Sequence, residues 1–241
     1  RSDQWIIGDM PKGCYLMAVL RRAMREELRD GVDDPESAPP DPLTLTAHFL
    51  RPGSPAEAAL VSIDVLRRGR SISTVRGTLA QGGTSRVEMM AGFGVLAAHG
   101  APADPSAPTI DLAWPGFPPP EECIDRTQLS QGVTEMTLMR RVEVRIPPAQ
   151  AAPELGGDAR IGGWIRFRDQ RPPDAIAAAL FVDAFPPSLF SRFGSVGWVP
   201  TLEMTVQVRR RPADGWLCAT FETDDLGDGR MVETGSLWDQ T

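Results

Sequence analysis

The sequence predicts an α+β fold in which two antiparallel sheets each wrap one helix, the two units being copies of one another. Three observations predict it. Residues 175–182, AIAAALFV, are apolar on every side, as a helix enclosed by other elements must be. Strand-like runs of alternating polarity follow it and fill much of the first half of the chain. The two halves also repeat one another at a nearly constant spacing.

The repeat sets the architecture. LTLTAHFLRP, ending at Pro52, matches LEMTVQVRRRP, ending at Pro212, 160 residues later. Leu60 matches Leu217 at a spacing of 157, and Gly77 and Leu79 match Gly235 and Leu237 at 158. Each half then reads as a helix followed by an antiparallel meander. A helix with an apolar surface needs a sheet to cover it. One curved sheet around one central helix is the hot-dog arrangement, and two such units joined edge to edge within one chain make a double hot-dog. The expected organisation is an N-terminal hot-dog at 1–96, a proline-rich linker at 97–133 and a C-terminal hot-dog at 134–241. A strand follows Gly83 in the first half, and its counterpart would follow Thr241. The repeat therefore predicts one more strand of about ten residues beyond that point.

Taken in order, residues 5–13 form an extended piece and a turn. Residues 14–28 have helical spacing, with Leu16, Val19, Leu20 and Ala23 on one face and Arg21, Arg22, Arg25 and Glu26 on the other, and Gly31 lies just past the end. Strands are expected at 43–51, 58–66, 71–81 and 85–96, joined by short turns as in a meander. The linker holds prolines too dense for regular structure, with Trp114 and Phe117 as its anchors on the surface. Strands follow at 136–146 and 161–168. Pro172 and Pro173 suit a helix start, Asp174 favours the positive end of its dipole, and Pro186 and Pro187 stop it. The last strands are expected at 202–210, 216–222 and 230–238.

Composition narrows the function. A chain of 241 residues, 41% hydrophobic, can bury a substantial core. A net charge of −7 argues against a nucleic-acid partner. Cys14, Cys123 and Cys218 are far apart with no CxxC pair, and His48 and His99 stand alone, so neither a metal site nor a disulfide framework is expected. Reduced thiols fit a cytoplasmic location. No apolar run reaches the ~20 residues of a membrane span.

Asp183 draws attention because it closes the apolar run. The helix dipole opposes a carboxylate at that end, and burial opposes its charge. Such a group requires partners, or a task. Two readings stand: a structural carboxylate that caps neighbouring backbone, or a functional one. Thr201 taken alone is an ordinary residue at a strand start. The turn at 67–70, Arg-Arg-Gly-Arg, is either a solvated hairpin tip or a grip for phosphates.

HFLRPG at 48–53, LRRGRSIS at 66–73, WIRFR at 164–168, the Asp183 helix and PTLEMTVQVRR at 200–210 together resemble the acyl-CoA thioesterase II (TesB-type) family, over nearly the whole chain. The resemblance implies a double hot-dog that hydrolyses acyl-CoA to free acid and CoA without a cofactor. It implies catalytic roles for Asp183, on the second helix, and Thr201, which opens the strand after it. The family's third catalytic residue, a Gln, lies on its closing strand, whose counterpart would follow Thr241; Gln240 lies on the turn before it and does not match. Cys14 departs from the Gly-Gly-Tyr usual there. The chemistry agrees: a thioester carbonyl yields to one oriented water, a carboxylate supplies the base and a hydroxyl fixes the water. No GxSxG occurs for a serine mechanism.

The expected partner is a small-molecule substrate, acyl-CoA, with self-association of the kind hot-dog sheets commonly make. Two rivals remain: a non-catalytic hot-dog that binds acyl chains or CoA, and a hydratase or dehydratase. The second would want a histidine beside the acid, and His48 and His99 lie away from the helices.

Overall fold

The chain is described by a computed structural model, which covers residues 5–8, 10–97, 110–129 and 136–240. It opens with a small hairpin, β1 (Ile6–Ile7) and β2 (Met10–Pro11), that leads into α1 (Gly13–Asp30). Then come β3 (Asp41–Phe49), β4 (Leu60–Arg67), β5 (Ser73–Gln81) and β6 (Thr84–Gly94). Next are β7 (Ile124–Asp125), α2 (Arg126–Leu129), β8 (Val142–Ile146), β9 (Arg160–Phe167), α3 (Ala175–Val182) and α4 (Leu189–Phe193). The last strands are β10 (Glu203–Gln207), β11 (Leu217–Gly227) and β12 (Arg230–Trp238).

Two five-stranded antiparallel sheets carry the structure, in the orders β10-β3-β6-β5-β4 and β12-β11-β9-β8-β7. The double hot-dog expected from the repeat is thus the observed architecture. One correction concerns the order. The first four strands are not a simple meander: the ten residues from 50 to 59 carry the chain across, so β3 pairs with β6 rather than with β4. Buried Gln81 holds that crossing, donating to the carbonyls of Ser54 and Glu57 and accepting from the Ser54 N–H.

The halves join through the strands that the repeat equates. β10 pairs antiparallel with β3, Thr205 opposite Thr46 and Val206 opposite Leu45. At the repeat spacing of 160, Leu45 corresponds to Thr205 and Thr46 to Val206. The two pairs therefore exchange places under a local two-fold axis, the self-complementary geometry of a symmetric dimer. Asp41 and Arg211 brace the same seam with a bidentate ion pair, 2.8 Å at its shorter contact.

α3 explains its own composition. Ala175, Ala179 and Val182 pack into the core between α1 and the first sheet. Ala177, Leu180, Phe181 and Ala184 pack into the core of the second. A helix shared by two cores has no polar face to offer. The Asp174 side chain caps its start, accepting from the N–H groups of Ile176 and Ala177. α1 is more conventional: Leu16, Met17, Leu20, Met24 and Leu28 are buried along one stripe.

Three local expectations change. Residues 137–140 form a 3-10 turn, so the strand expected from 136 starts at Val142. The linker is less irregular than its prolines suggest: β7 pairs with β8, and α2 follows directly. Its anchors sit on the outer face of the second sheet, Phe117 over Gly162 and Trp114 against Trp164, ring centroids 5.7 Å apart. Finally, the turn at 67–70 is a solvated tip, with Arg67, Arg68 and Arg70 exposed, but Arg68 also has a structural task. It donates to the carbonyls of Leu28 and Glu27, closing the C-terminal end of α1.

Candidate active site

α1 and α3 lie alongside one another and run in opposite directions, so the end of α3 at Asp183 sits beside the start of α1. Asp183 is the C-cap of α3, where Pro186 and Pro187 soon forbid another turn. Across from it, α1 starts at Gly13 with Lys12 in the N-cap position, and Lys12 offers no side-chain capping bond. Asp183 supplies the missing acceptor from the other half of the chain: its Oδ2 takes the Cys14 N–H at 3.2 Å. Its Oδ1 lies 3.2 Å from the Lys12 ammonium. The side chains of Lys12 and Asp183 are only 13% and 17% exposed, so the pair is shielded without being sealed.

The surroundings offset what α3 itself imposes. The carbonyl end of α3 disfavours a carboxylate, but the N–H end of α1 and the ammonium favour it. Arg126, half-buried on α2, adds a second positive charge nearby and donates to the Ala184 carbonyl. Burial holds its guanidinium down to about 10, while the charge of Asp183 acts the other way. Cys14 is fully buried, and its thiol is pushed well above the usual range by burial and then by the negative charge of Asp183. It is a neutral neighbour, not a nucleophile.

Thr201 is exposed and lies two residues before β10. Among the described residues it makes no hydrogen bond to Asp183. Its neighbour Leu202 is tied to β3, the Phe49 N–H donating to the Leu202 carbonyl at 2.9 Å. The Phe49 ring in turn lies against Gly13, where an added Cβ would sit 2.7 Å from it. His48 is an exposed residue of β3, and His99 lies outside the described residues.

Lys12 was passed over by sequence reasoning. Its one signal was that it is the only lysine among 25 basic residues. A second feature is a cleft of about 250 Å³ lined by Trp5, Arg141, Phe167, Asp169 and Arg171. It adjoins the helix junction on two sides. The Trp5 carbonyl accepts the Lys12 N–H at 2.8 Å, and the Phe167 ring packs on Phe181 with centroids 4.8 Å apart. Among the described residues no cluster of His, Cys, Asp and Glu could hold a metal, and no helix is long and apolar enough to cross a membrane.

Known proteins share this fold. A Thermobifida fusca protein assigned as a thioesterase II superposes with a TM-score of 0.79 at 27% identity, over 98% of this chain and 84% of that one. A hot-dog protein of unknown function from Alicyclobacillus acidocaldarius gives 0.81 at 21% identity, over 100% and 85%. An uncharacterised Mycobacterium tuberculosis protein is 29% identical, the match covering 94% of this chain and 79% of the relative. Residues 1–94 match the model of the acyl-CoA thioesterase N-terminal domain and residues 116–241 that of the C-terminal domain. With both domains matched in order on a double hot-dog frame, the chain belongs to the acyl-CoA thioesterase family and is a thioester hydrolase.

Proposed function

We propose that this protein hydrolyses acyl-CoA to a free fatty acid and CoA, with Asp183 as the general base and Thr201 holding the attacking water. The observation that carries the reading is the position of Asp183: a shielded carboxylate where the two helices meet, beside the N–H end of α1. In the reaction, a water oxygen attacks the thioester carbonyl carbon while Asp183 takes its proton. The carbonyl electrons move onto oxygen, giving a tetrahedral oxyanion. Collapse of the tetrahedral species breaks the C–S bond, and CoA leaves as the thiol with the proton Asp183 had taken.

The cleft beside Trp5 suits the distal end of such a substrate. An indole offers a stacking face for adenine, and the guanidiniums of Arg141 and Arg171 suit phosphate groups.

The test is release of free thiol from acyl-CoAs of graded chain length, followed with a thiol-reactive dye. The three cysteines of the protein are buried and should add little background. Release that depends on Asp183 supports the reading. Tight binding of acyl-CoA with no release from any chain length would instead favour a binding protein.

A further inference from the structure

We infer that Lys12 is a positioning residue for hydrolysis, its ammonium fixing the plane of the Asp183 carboxylate from the opposite half of the chain. The inference rests on the reading of Asp183 as the base.

Lys12 is built to hold one place. Its N–H donates to Trp5, and its carbonyl accepts from Tyr15 and Leu16, so the main chain is fixed on both sides. Its side chain is 13% exposed, and its Nζ is 3.2 Å from Oδ1. The other carboxylate oxygen is held by the Cys14 N–H at 3.2 Å. Two donors on two oxygens define a plane; one donor alone leaves the carboxylate free to rotate about its last bond. The remaining lone pairs of a doubly held carboxylate point in set directions, and general-base catalysis depends on that direction as well as on charge.

Two further groups lie beside the pair: the Cys14 thiol, neutral and hydrogen-bonded to the carboxylate, and Arg126, which donates to the Ala184 carbonyl. Asp183 ends a short helix whose next residues are buried Ala184 and Phe185, so the backbone of that helix does not follow the carboxylate. An ion pair this shielded also restrains geometry more than an exposed one would. The cross-chain character matters too: α1 and α3 belong to different repeats, and Lys12–Asp183 is an ionic tie between the two helix ends.

The experiment is a double-mutant cycle on kcat and KM. Lys12→Met, which keeps length without charge, is expected to lower kcat by about 10- to 100-fold with KM little changed. Lys12→Arg should recover most of the loss. In an Asp183→Asn background, Lys12→Met should cost nothing more, because there is no base left to orient. Equal losses in both backgrounds, or a loss confined to KM, would overturn the inference. A readout without turnover separates it from the hydrolase reading. Because Lys12 is the only lysine, its acetylation rate can be followed by peptide mass spectrometry. It should be slower in the parent protein than in Asp183→Asn, and equal rates would refute the tie itself. If the rates differ but no acyl-CoA is hydrolysed, the tie stands, and both the hydrolase reading and the role built on it fall.

Discussion

Asp183 caps a helix to which it does not belong: its Oδ2 accepts the Cys14 N–H at the start of α1, 169 positions away in the chain. The structural and functional readings of this residue are therefore not rivals. One carboxylate oxygen can complete a helix end while the other lone pairs serve a water. The two roles separate by substitution. Asp183→Asn keeps an acceptor for Cys14 but gives up the charge that faces Lys12, so it should lower kcat by about 10²- to 10⁴-fold while the cap on α1 survives. Asp183→Ala should lose the same activity and be roughly 0.5–2 kcal/mol less stable than Asp183→Asn in denaturant titrations, the value of the lost cap. Full activity in Asp183→Asn would remove the residue from the chemistry.

Thr201 is expected to act through its hydroxyl, not its shape. Thr201→Val should reduce kcat about 10²-fold, and Thr201→Ser should stay near the parent value. Steady-state kinetics on one good acyl-CoA decide this, with Thr201→Val activity at parental level as the contrary result.

The cleft makes a prediction about KM. Arg171 stacks on Phe167, its guanidinium carbon 3.6 Å from the ring centroid. If it also meets a phosphate, Arg171→Ala should raise KM for acyl-CoA about tenfold, the value of one charge-assisted hydrogen bond. The same acyl group on N-acetylcysteamine, which lacks the nucleotide, should show no change. An equal rise for both substrates would place the nucleotide elsewhere.

The three thiols should be inert in the folded protein. All are buried; burial pushes the Cys218 thiol up to about 12, and Cys14 is raised further by its acidic neighbour. Iodoacetamide at mildly alkaline pH should label none of them until denaturant is added, as intact-mass measurement would read. Rapid native labelling of Cys14 would mean that the helix junction opens.

Glu143 should contribute to acid stability. Burial alone would raise its carboxyl, but hydrogen bonds and charge from Arg145 and Arg166 outweigh burial and bring it below the usual 4.5. A carboxyl lowered in the folded state adds stability that is present above its unfolded value and is lost as pH falls through the folded one. Glu143→Gln should cost roughly 1–3 kcal/mol near neutral pH and flatten the stability profile below 4.5. An unchanged slope there would show that other carboxyls dominate acid unfolding.

The sequence by itself determined the helix at 175–182, the strands around it, the duplication and the choice of Asp183. All are local or periodic signals: an apolar run between prolines, alternation along strands, a match repeated at one spacing. The order of strands was not among them. β3 sits beside β6 because a crossing chain is held by Gln81, and no pattern within β3 reports its neighbour. The 3-10 turn at 137–140 escaped because four residues are too few to impose a period. Only the tertiary structure decided that α3 is shared by two cores, that Arg68 closes α1, and that Lys12 faces Asp183. Each of these joins residues far apart in the chain, and side-chain type alone does not say which distant partner a charge will meet. Periodicity shows which face is buried; packing decides what it is buried against.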